Sequence, residues 1–292
     1  MTRALVLGGG GPIGIAWESG LVAGLAEGGV DLSTADFIMG TSAGSVVGAQ
    51  LAMGRPPSAL YTAITAHPPQ PATQPGTTPS APPVLTPLME LMQQASAGKI
   101  APAELRRKIG EFALAAQTIT EEEFLASFGR MLASSGAWPE RPYACTAVDA
   151  VDGSFILWDK AAGAPLNRAV ASSCSVPGIY PPITINGRRY IDGGMRSATN
   201  ADCAKDYDTV LVVAVTTDVP GPMGDQSRAR LAAELQTLRD AGRSVECLQP
   251  DAGSRAAFGP NLMDFSRRTA SAEAGYAQGQ SAASSLRAMW DA

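Results

Sequence analysis

Histidine is almost absent from this chain of 292 residues, which contains a single one, His67. It lies in a segment, residues 55–87, that is rich in proline, threonine and serine, and this composition predicts an extended or mobile chain. A catalytic imidazole has to be held by packing and by a third group, and a proline-rich linker offers neither. The sequence therefore argues against a hydrolase with a histidine base, and a carboxylate is expected in that place.

Cysteine and charge are also scarce. The four cysteines are far apart in the sequence and form no C-x-x-C pair, so neither a zinc site nor a disulfide framework is indicated. We expect no metal and no cofactor. The net charge is −5 and no basic cluster is longer than the one at residues 106–108, which argues against a nucleic-acid partner.

An uninterrupted apolar segment is missing as well. Residues 4–26 carry almost no charge, but four consecutive glycines, Pro12 and Glu18 break them as a continuous apolar helix. The sequence therefore predicts neither a signal peptide nor a membrane span. A cytoplasmic location is expected. For Glu18 we expect a solvent-facing or capped carboxylate rather than one that supports the glycine-rich loop.

What the chain does contain is a serine between a strand and a helix. Residues 40–44 read Gly-Thr-Ser-Ala-Gly, after an apolar run at 37–39 and before a helix-forming stretch at 46–53. This pattern predicts a nucleophile elbow, with Ser42 in a strained conformation and Gly40 and Gly44 leaving room for neighbouring elements. The helix N-terminus favours developing negative charge. A hydrolase is thus the first hypothesis.

A carboxylate in a fitting place follows downstream. Asn186 and Gly187 predict a tight hairpin turn between two short strands, and Asp192 ends the second strand before Gly193 and Gly194. An aspartate before two glycines is more often a turn residue than a catalyst. Combined with an elbow and no usable histidine, however, Asp192 becomes the candidate base.

A glycine-rich loop, residues 8–14, joins the first predicted strand to a helix. Its N–H groups, from Gly9 to Gly11, could hold the oxyanion of a tetrahedral intermediate, with Ala43 as an additional donor. Residues 9–14 also satisfy the dinucleotide pattern G-x-G-x-x-G, with Asp31 about twenty residues beyond. Asp31 precedes the second strand rather than ending it, so no acid stands where a ribose would need one.

In combination these motifs make the chain resemble the patatin-like phospholipase family, of bacterial type. The family has a glycine-rich loop, a G-x-S-x-G elbow and a later D-G-G or D-G-A motif, which match Gly9 to Gly14, Gly40 to Gly44 and Asp192 to Gly194. Residues 171–182 also look like the stretch of small residues and prolines that leads to the family's aspartate. The resemblance implies a lipid acyl hydrolase, phospholipase A-like, with a Ser42–Asp192 dyad, an acyl-enzyme and no metal. It implies an α/β fold, a three-layer sandwich with a mostly parallel central sheet and a helical insertion after the elbow.

One position departs from the family. Where members commonly have Arg or Lys in the glycine-rich loop, this chain has Ile13. If that cation attracts an anionic head group, its absence favours a neutral ester over a phospholipid. Substrate contact at a membrane surface would then be transient, and oligomeric state is open.

Length and patterning predict one α/β domain over residues 1–292. Residues 55–135 are expected to be a proline-rich linker followed by a helical cap, whose role is either packing over the sheet edge or lining an acyl pocket. The acids Asp149 and Asp152 are interpreted as turn residues at a strand end. Residues 209–215, a β-branched run, predict a strand buried on both faces.

Two other functions stay open at this point. The glycine-rich loop could hold the phosphate of a nucleotide or dinucleotide, with Ser42 only an elbow residue. Alternatively, the chain could be a catalytically silent relative that binds lipid or a partner protein.

Overall fold

A central sheet of eight strands organises the protein in the computed structural model, which describes residues 1–66, 85–132, 136–215 and 221–291. Strand order is β5-β6-β3-β2-β1-β7-β8, with β4 paired to the other edge of β3. The neighbouring strands along β3-β2-β1-β7-β8 are parallel. By contrast, β4 and β6 run antiparallel to β3, and β5 runs antiparallel to β6. The expected mostly parallel sheet is thus confirmed. The strands are β1 Arg3–Leu7, β2 Phe37–Gly40, β3 Tyr143–Asp149, β4 Phe155–Trp158, β5 Ile183–Ile185, β6 Arg188–Asp192, β7 Thr209–Val213 and β8 Ser244–Leu248.

Helices cover both faces of this sheet, which gives the three layers predicted from the resemblance. Within the described ranges the α-helices are α1 Gly11–Glu27, α2 Ala43–Ala52, α3 Pro57–Thr65, α4 Thr86–Ser96, α5 Pro102–Ala115, α6 Glu121–Leu132, α7 Leu166–Ser173, α8 Pro222–Asp240, α9 Ala252–Phe258 and α10 Arg268–Trp290. The helix α3 lies where the sequence predicted linker, and residues 67–84 of that linker, with His67, lie outside the described residues.

Alternate residues of the central strands face opposite layers. Leu5 and Leu7 pack with α1, α2, α7 and α10, whereas Ala4 and Val6 pack with α8 on the other face. Because both sets are buried, the strand has no polar face, as expected for a parallel sheet covered on both sides. β7 is buried along its whole length, which confirms the strand predicted from its β-branched run.

The helices that follow the elbow do not form one cap. Ile109 and Ala113 of α5 pack against Val148 and Ile191, on the same face as α8. Phe124 and Phe128 of α6 belong instead to the core on the opposite face, together with α2 and α7. The expected cap is therefore divided between the two faces of the sheet, because α5 packs on β3 and β6 whereas α6 packs on the helices α2 and α7.

The position of the site follows from how β3 is paired. β2 pairs with the first residues of β3 and ends with Gly40 opposite Cys145. β6 pairs with the last residues of β3 and ends with Asp192 opposite Ala147. Both β2 and β6 share β3 residues with β4, so they must lie on the same edge of β3. β2 runs parallel to β3 and β6 antiparallel, so their carboxyl ends meet head to head beside Thr146.

Candidate active site

Ser42 occupies the reversal between β2 and α2. Its backbone has φ 52° and ψ −115°, a strained conformation for a non-glycine residue that costs about 1–3 kcal/mol. The flanking glycines are required by space, because a Cβ on Gly40 would lie 2.3 Å from the Gly44 carbonyl oxygen and one on Gly44 would lie 2.2 Å from the Leu7 oxygen. The sequence therefore bends here in the way that an elbow needs.

Residues at the end of α7, together with Ser45 of α2, hold the serine in this conformation. The Ser42 N–H donates to Ser173 Oγ at 3.0 Å. Its carbonyl oxygen accepts from Ser45 Oγ at 2.6 Å and from Cys174 Sγ at 3.2 Å. All the backbone polar groups of Ser42 thus have partners, and the side chain, with a residue exposure of 7%, is left to face a cavity.

Asp192 meets the serine from the end of β6. It is 2% exposed, its N–H donates to the Ser175 carbonyl at 3.0 Å, and its Oδ1 accepts from the Gly194 N–H at 2.7 Å. Burial raises the pKa of its carboxyl to about 7, while the nearby Ser42 hydroxyl and the Gly194 N–H oppose that rise. A carboxylate with this pKa is half ionised near neutral pH, which suits a general base.

The glycine-rich loop lies against the elbow. The Gly44 N–H donates to the Gly8 carbonyl at 2.9 Å, and a Cβ on Gly9 would come within 3.3 Å of Ser42 Cβ. Gly9 was predicted as an oxyanion donor, but its N–H already donates to the Ala198 carbonyl at 2.7 Å. This prediction is corrected: Gly9 supplies close approach rather than a free donor.

The remaining predicted donors keep that role open. No hydrogen bond joins the backbone N–H of Gly10, Gly11 or Ala43 to an acceptor within the described ranges. Gly11 begins α1 with φ +58°, a conformation that favours glycine, and Ala43 begins α2. Gly14 allows the two helix starts to approach, since a Cβ there would lie 3.0 Å from Ala43 Cβ.

Beside Ser42 opens a cavity of about 630 Å³. Its wall comes from α6, the start of α1, the loop after α7 and residues 263–268, and it is rich in aromatic and methionine side chains. Ten of its larger lining residues are Ile15, Phe124, Phe128, Arg130, Met131, Val176, Tyr180, Met263, Phe265 and Arg268. The size and apolar lining are typical of a small-molecule or acyl-chain site.

Other residues singled out in the sequence lie elsewhere. Ile13 is fully buried in the core with Trp17 and does not line the cavity, so a side chain at this position does not contact a substrate there. The Asp149 carboxylate accepts from Arg188 and from the Val151 N–H, as a turn residue does. The side chain of Asp31 accepts from the Ser33 N–H at 2.9 Å and caps a short 3₁₀ turn.

The expectation for Glu18 is wrong. Its side chain is fully buried, and neither carboxyl oxygen has a hydrogen-bond partner in the described part of the chain. Burial raises its pKa well above the ordinary value. The nearby Gly8 N–H opposes this rise but gives its own hydrogen bond to the Val213 carbonyl at 2.9 Å. Glu18 is therefore a buried carboxyl beneath the glycine-rich loop, and its burial favours the neutral form.

Sequence reasoning missed three residues that support the site. Ser173 and Cys174 hold the backbone of Ser42, and the buried Asn200 lies where β2 and β6 meet. Ser173 and Cys174 fall in the 171–182 stretch that the resemblance singled out, but without individual roles. No local signal marked Asn200, because its partners are distant in sequence.

The part of the chain that the structure describes contains neither a metal-binding cluster nor a membrane-spanning helix. No three His, Cys, Asp or Glu side chains there gather in a geometry that could hold a metal ion. None of the described helices combines the length and hydropathy needed to span a bilayer.

Comparison with known proteins identifies the family of the segment that contains these motifs. The family model described as patatin-like phospholipase matches residues 5–205. Among solved structures, VipD from Legionella pneumophila is 11% identical with a TM-score of 0.44, over 97% of this chain and 67% of VipD. The type III effector protein ExoU is 17% identical with a TM-score of 0.37, over 96% of this chain and 53% of ExoU, so the chain spans about half of that length. No curated protein matches the chain.

Proposed function

The chain belongs to the patatin-like phospholipase family, and we propose that it is a lipid acyl hydrolase in which Ser42 and Asp192 form a catalytic dyad. One observation carries the proposal. Asp192, which is 2% exposed, ends β6 where β2 leads into the strained elbow, with the Ser42 hydroxyl beside it, and burial raises the pKa of its carboxyl to about 7. Paired groups of this kind, one a nucleophile and the other a base tuned to neutral pH, are typical of active sites.

In the proposed mechanism Asp192 takes the proton of Ser42 while Oγ attacks the ester carbonyl. The N–H groups of Gly10, Gly11 and Ala43, helped by the dipole at the start of α2, stabilise the oxyanion. As the tetrahedral intermediate collapses, Asp192 returns the proton to the leaving alcohol and an acyl-enzyme remains. Asp192 then deprotonates a water molecule, which attacks the acyl carbonyl. As this second intermediate collapses, Asp192 gives the proton to Ser42 Oγ, and the acid is released.

The cavity supports an apolar acyl group as the part of the substrate that is held. Phe124 and Phe128 from α6 and Phe265 from the segment before α10 offer ring surface beside Ser42, and burial of alkyl groups against such surface is favourable. The match of the family model supports a lipid as the source of this acyl group. Ile13 lies in the core, so the sequence-based preference for a neutral ester is a separate question that its position does not decide.

The most direct test is covalent labelling with a fluorophosphonate probe. Intact mass should show one adduct, and peptide mapping should place it on Ser42. Ser42→Ala should lose both the adduct and hydrolysis of a p-nitrophenyl ester. Ser127→Ala, which changes another serine of the same cavity, should still be labelled at Ser42. A label on a different serine would contradict the elbow as the nucleophile.

The same experiment separates the alternatives. A catalytically silent lipid-binding relative would take no label although it binds fatty acid. If the protein binds a nucleotide instead, an added nucleotide rather than an added ester would protect Ser42 from the probe. Because the dyad mechanism uses no metal in any step, hydrolysis is expected to survive dialysis against EDTA, and a strict calcium requirement would contradict it.

A further inference from the structure

We propose that Asn200 is a positioning residue of this site, whose buried side-chain amide sets the nucleophile strand and the acid strand relative to each other. The inference rests on the Ser42–Asp192 dyad proposed above. Asn200 is fully buried and does not line the cavity, so any effect on catalysis must pass through its neighbours.

The amide joins both strand ends. Asn200 Nδ2 donates toward Thr41 Oγ1 at 3.1 Å, in the residue directly before Ser42, and toward the Gly193 carbonyl at 3.3 Å, directly after Asp192. It also lies 2.7 Å from the Ser197 carbonyl and 3.4 Å from Thr146 Oγ1. An amide nitrogen has two hydrogens, so these four acceptors share them.

Thr146 completes the connection through β3. Thr146 Oγ1 is 2.8 Å from Thr41 Oγ1. A Cβ on Gly193 would lie 2.1 Å from Thr146 Oγ1. The two strand ends and the middle of β3 thus pack against one polar cluster. A change in the amide therefore shifts Ser42 or Asp192 along the edge of β3.

The orientation of the amide is fixed by its acceptor side. Asn200 Oδ1 accepts from Arg196 Nη1 at 2.8 Å, and this guanidinium is paired with Asp202. Because a guanidinium is donor only, the oxygen has to face Arg196 and the nitrogen has to face Thr41. The flip that would abolish the connection is excluded by this contact.

The backbone at Asn200 is held in the left-handed region, with φ 52° and ψ 32°. Asparagine tolerates this conformation better than most residues. The buried Glu234 of α8 secures both neighbours, since its Oε2 accepts from Thr199 Oγ1 at 2.7 Å and from the Ala201 N–H at 3.0 Å. The amide is therefore delivered to the strand ends by a rigid support.

Asn200→Gly is the most informative variant, because glycine keeps the left-handed backbone without strain and removes only the amide. We expect kcat on a p-nitrophenyl ester to fall roughly 10- to 100-fold, since misplacement of reacting groups by about 1 Å has effects of this order. KM should stay within about twofold, because the cavity wall is unchanged. Thr41→Val removes the acceptor at constant shape and should give the same split between kcat and KM.

A double-mutant cycle then locates the effect. If the amide acts through Thr41, the double variant should be no slower than the slower single variant, since coupled residues are non-additive. Ser254→Ala serves as the matched control. It removes a buried hydroxyl that bonds Trp17 and Gln278, away from the strand ends, and should lower the melting temperature without changing kcat.

Assays are run well below the melting temperature of each variant. An Asn200→Gly protein with wild-type kcat and reduced stability would overturn the proposal, and so would a rise in KM at constant kcat. If Asn200→Gly fails to fold, the kcat of Thr41→Val decides in the same way. Wild-type protein that is not labelled at Ser42 would instead refute the proposed function, so the two failures are distinguishable.

Discussion

Two neighbouring regions of the site are built in opposite ways. The strand-end cluster, which we define as Thr41, Ser42, Thr146, Asp192 and Asn200, is buried and joined by hydrogen bonds between distant parts of the chain. The pocket wall, defined as the cavity-lining side chains of α6 and of residues 263–268, is mostly apolar and partly exposed. One region is held by hydrogen bonds between distant parts of the chain, whereas the other presents mostly apolar surface to the cavity.

The difference assigns separate duties to the two regions. Hydrogen bonds have narrow geometry, so the strand-end cluster keeps the reacting atoms in one arrangement, as catalysis demands. Apolar contact is non-directional, so the pocket wall can accept chains of varied shape. We therefore expect changes in the cluster to act on kcat and changes in the wall to act on KM.

The largest effect should come from Asp192→Asn, which keeps the size of the side chain but removes the base. The value of kcat should fall by at least about 100-fold, the usual contribution of a positioned general base. His67→Ala is the control and should remain within a few fold of wild type, because a proline-rich segment does not hold a catalytic imidazole. An inactive His67→Ala with an active Asp192→Asn would show an ordinary Ser-His enzyme.

The pH dependence of kcat/KM should reveal the same group in the wild type. Asp192 must be ionised to accept the proton, and burial raises the pKa of its carboxyl to about 7. The rate should therefore rise with pH to a plateau above about 7, and fall about tenfold for each pH unit below it. A profile that is flat between pH 5 and 8 would remove Asp192 as the base.

How far the sequence predicts this molecule differs between the same two regions. The three motifs were readable because each is a local sequence pattern: the glycine-rich loop before α1, Ser42 between Gly40 and Gly44 at a strand-to-helix turn, and Asp192 at a strand end before two glycines. Asn200 and the buried state of Glu18 were not readable, because they depend on partners brought together by packing. The division of α5 and α6 between two faces was missed for the same reason, since an apolar stripe does not say which face of the sheet it covers.

A smaller effect is expected from the pocket wall. Met131→Ala removes alkyl surface from the cavity, and the lost burial is worth about 1–2 kcal/mol. KM for a long-chain p-nitrophenyl ester should rise roughly tenfold while kcat stays within about twofold. Leu114→Ala changes an exposed side chain of α5 and should alter neither constant. A fall in kcat alone would mean that the wall, too, positions the reacting atoms.

The smallest effect concerns Glu18, which lies under the glycine-rich loop beside the strand-end cluster. Its pKa in the folded protein is raised well above 4.5, its ordinary value, chiefly by burial. Below pH 4.5 the acid is neutral in both the folded and the unfolded state. Between pH 4.5 and the folded pKa only the unfolded chain ionises. Its contribution to stability is therefore full at acidic pH and is lost as the pH rises through the folded pKa.

Glu18→Gln cannot ionise, so its melting temperature relative to wild type should increase by a few degrees between pH 4 and pH 8. The value of kcat should change less than twofold, because the mechanism does not use this carboxyl. Thermal unfolding of both proteins across that range provides the measurement. A relative melting temperature that does not depend on pH would show that folding does not raise the pKa of the Glu18 carboxyl, and one that falls with pH would show a carboxylate that is ionised and paired in the folded protein.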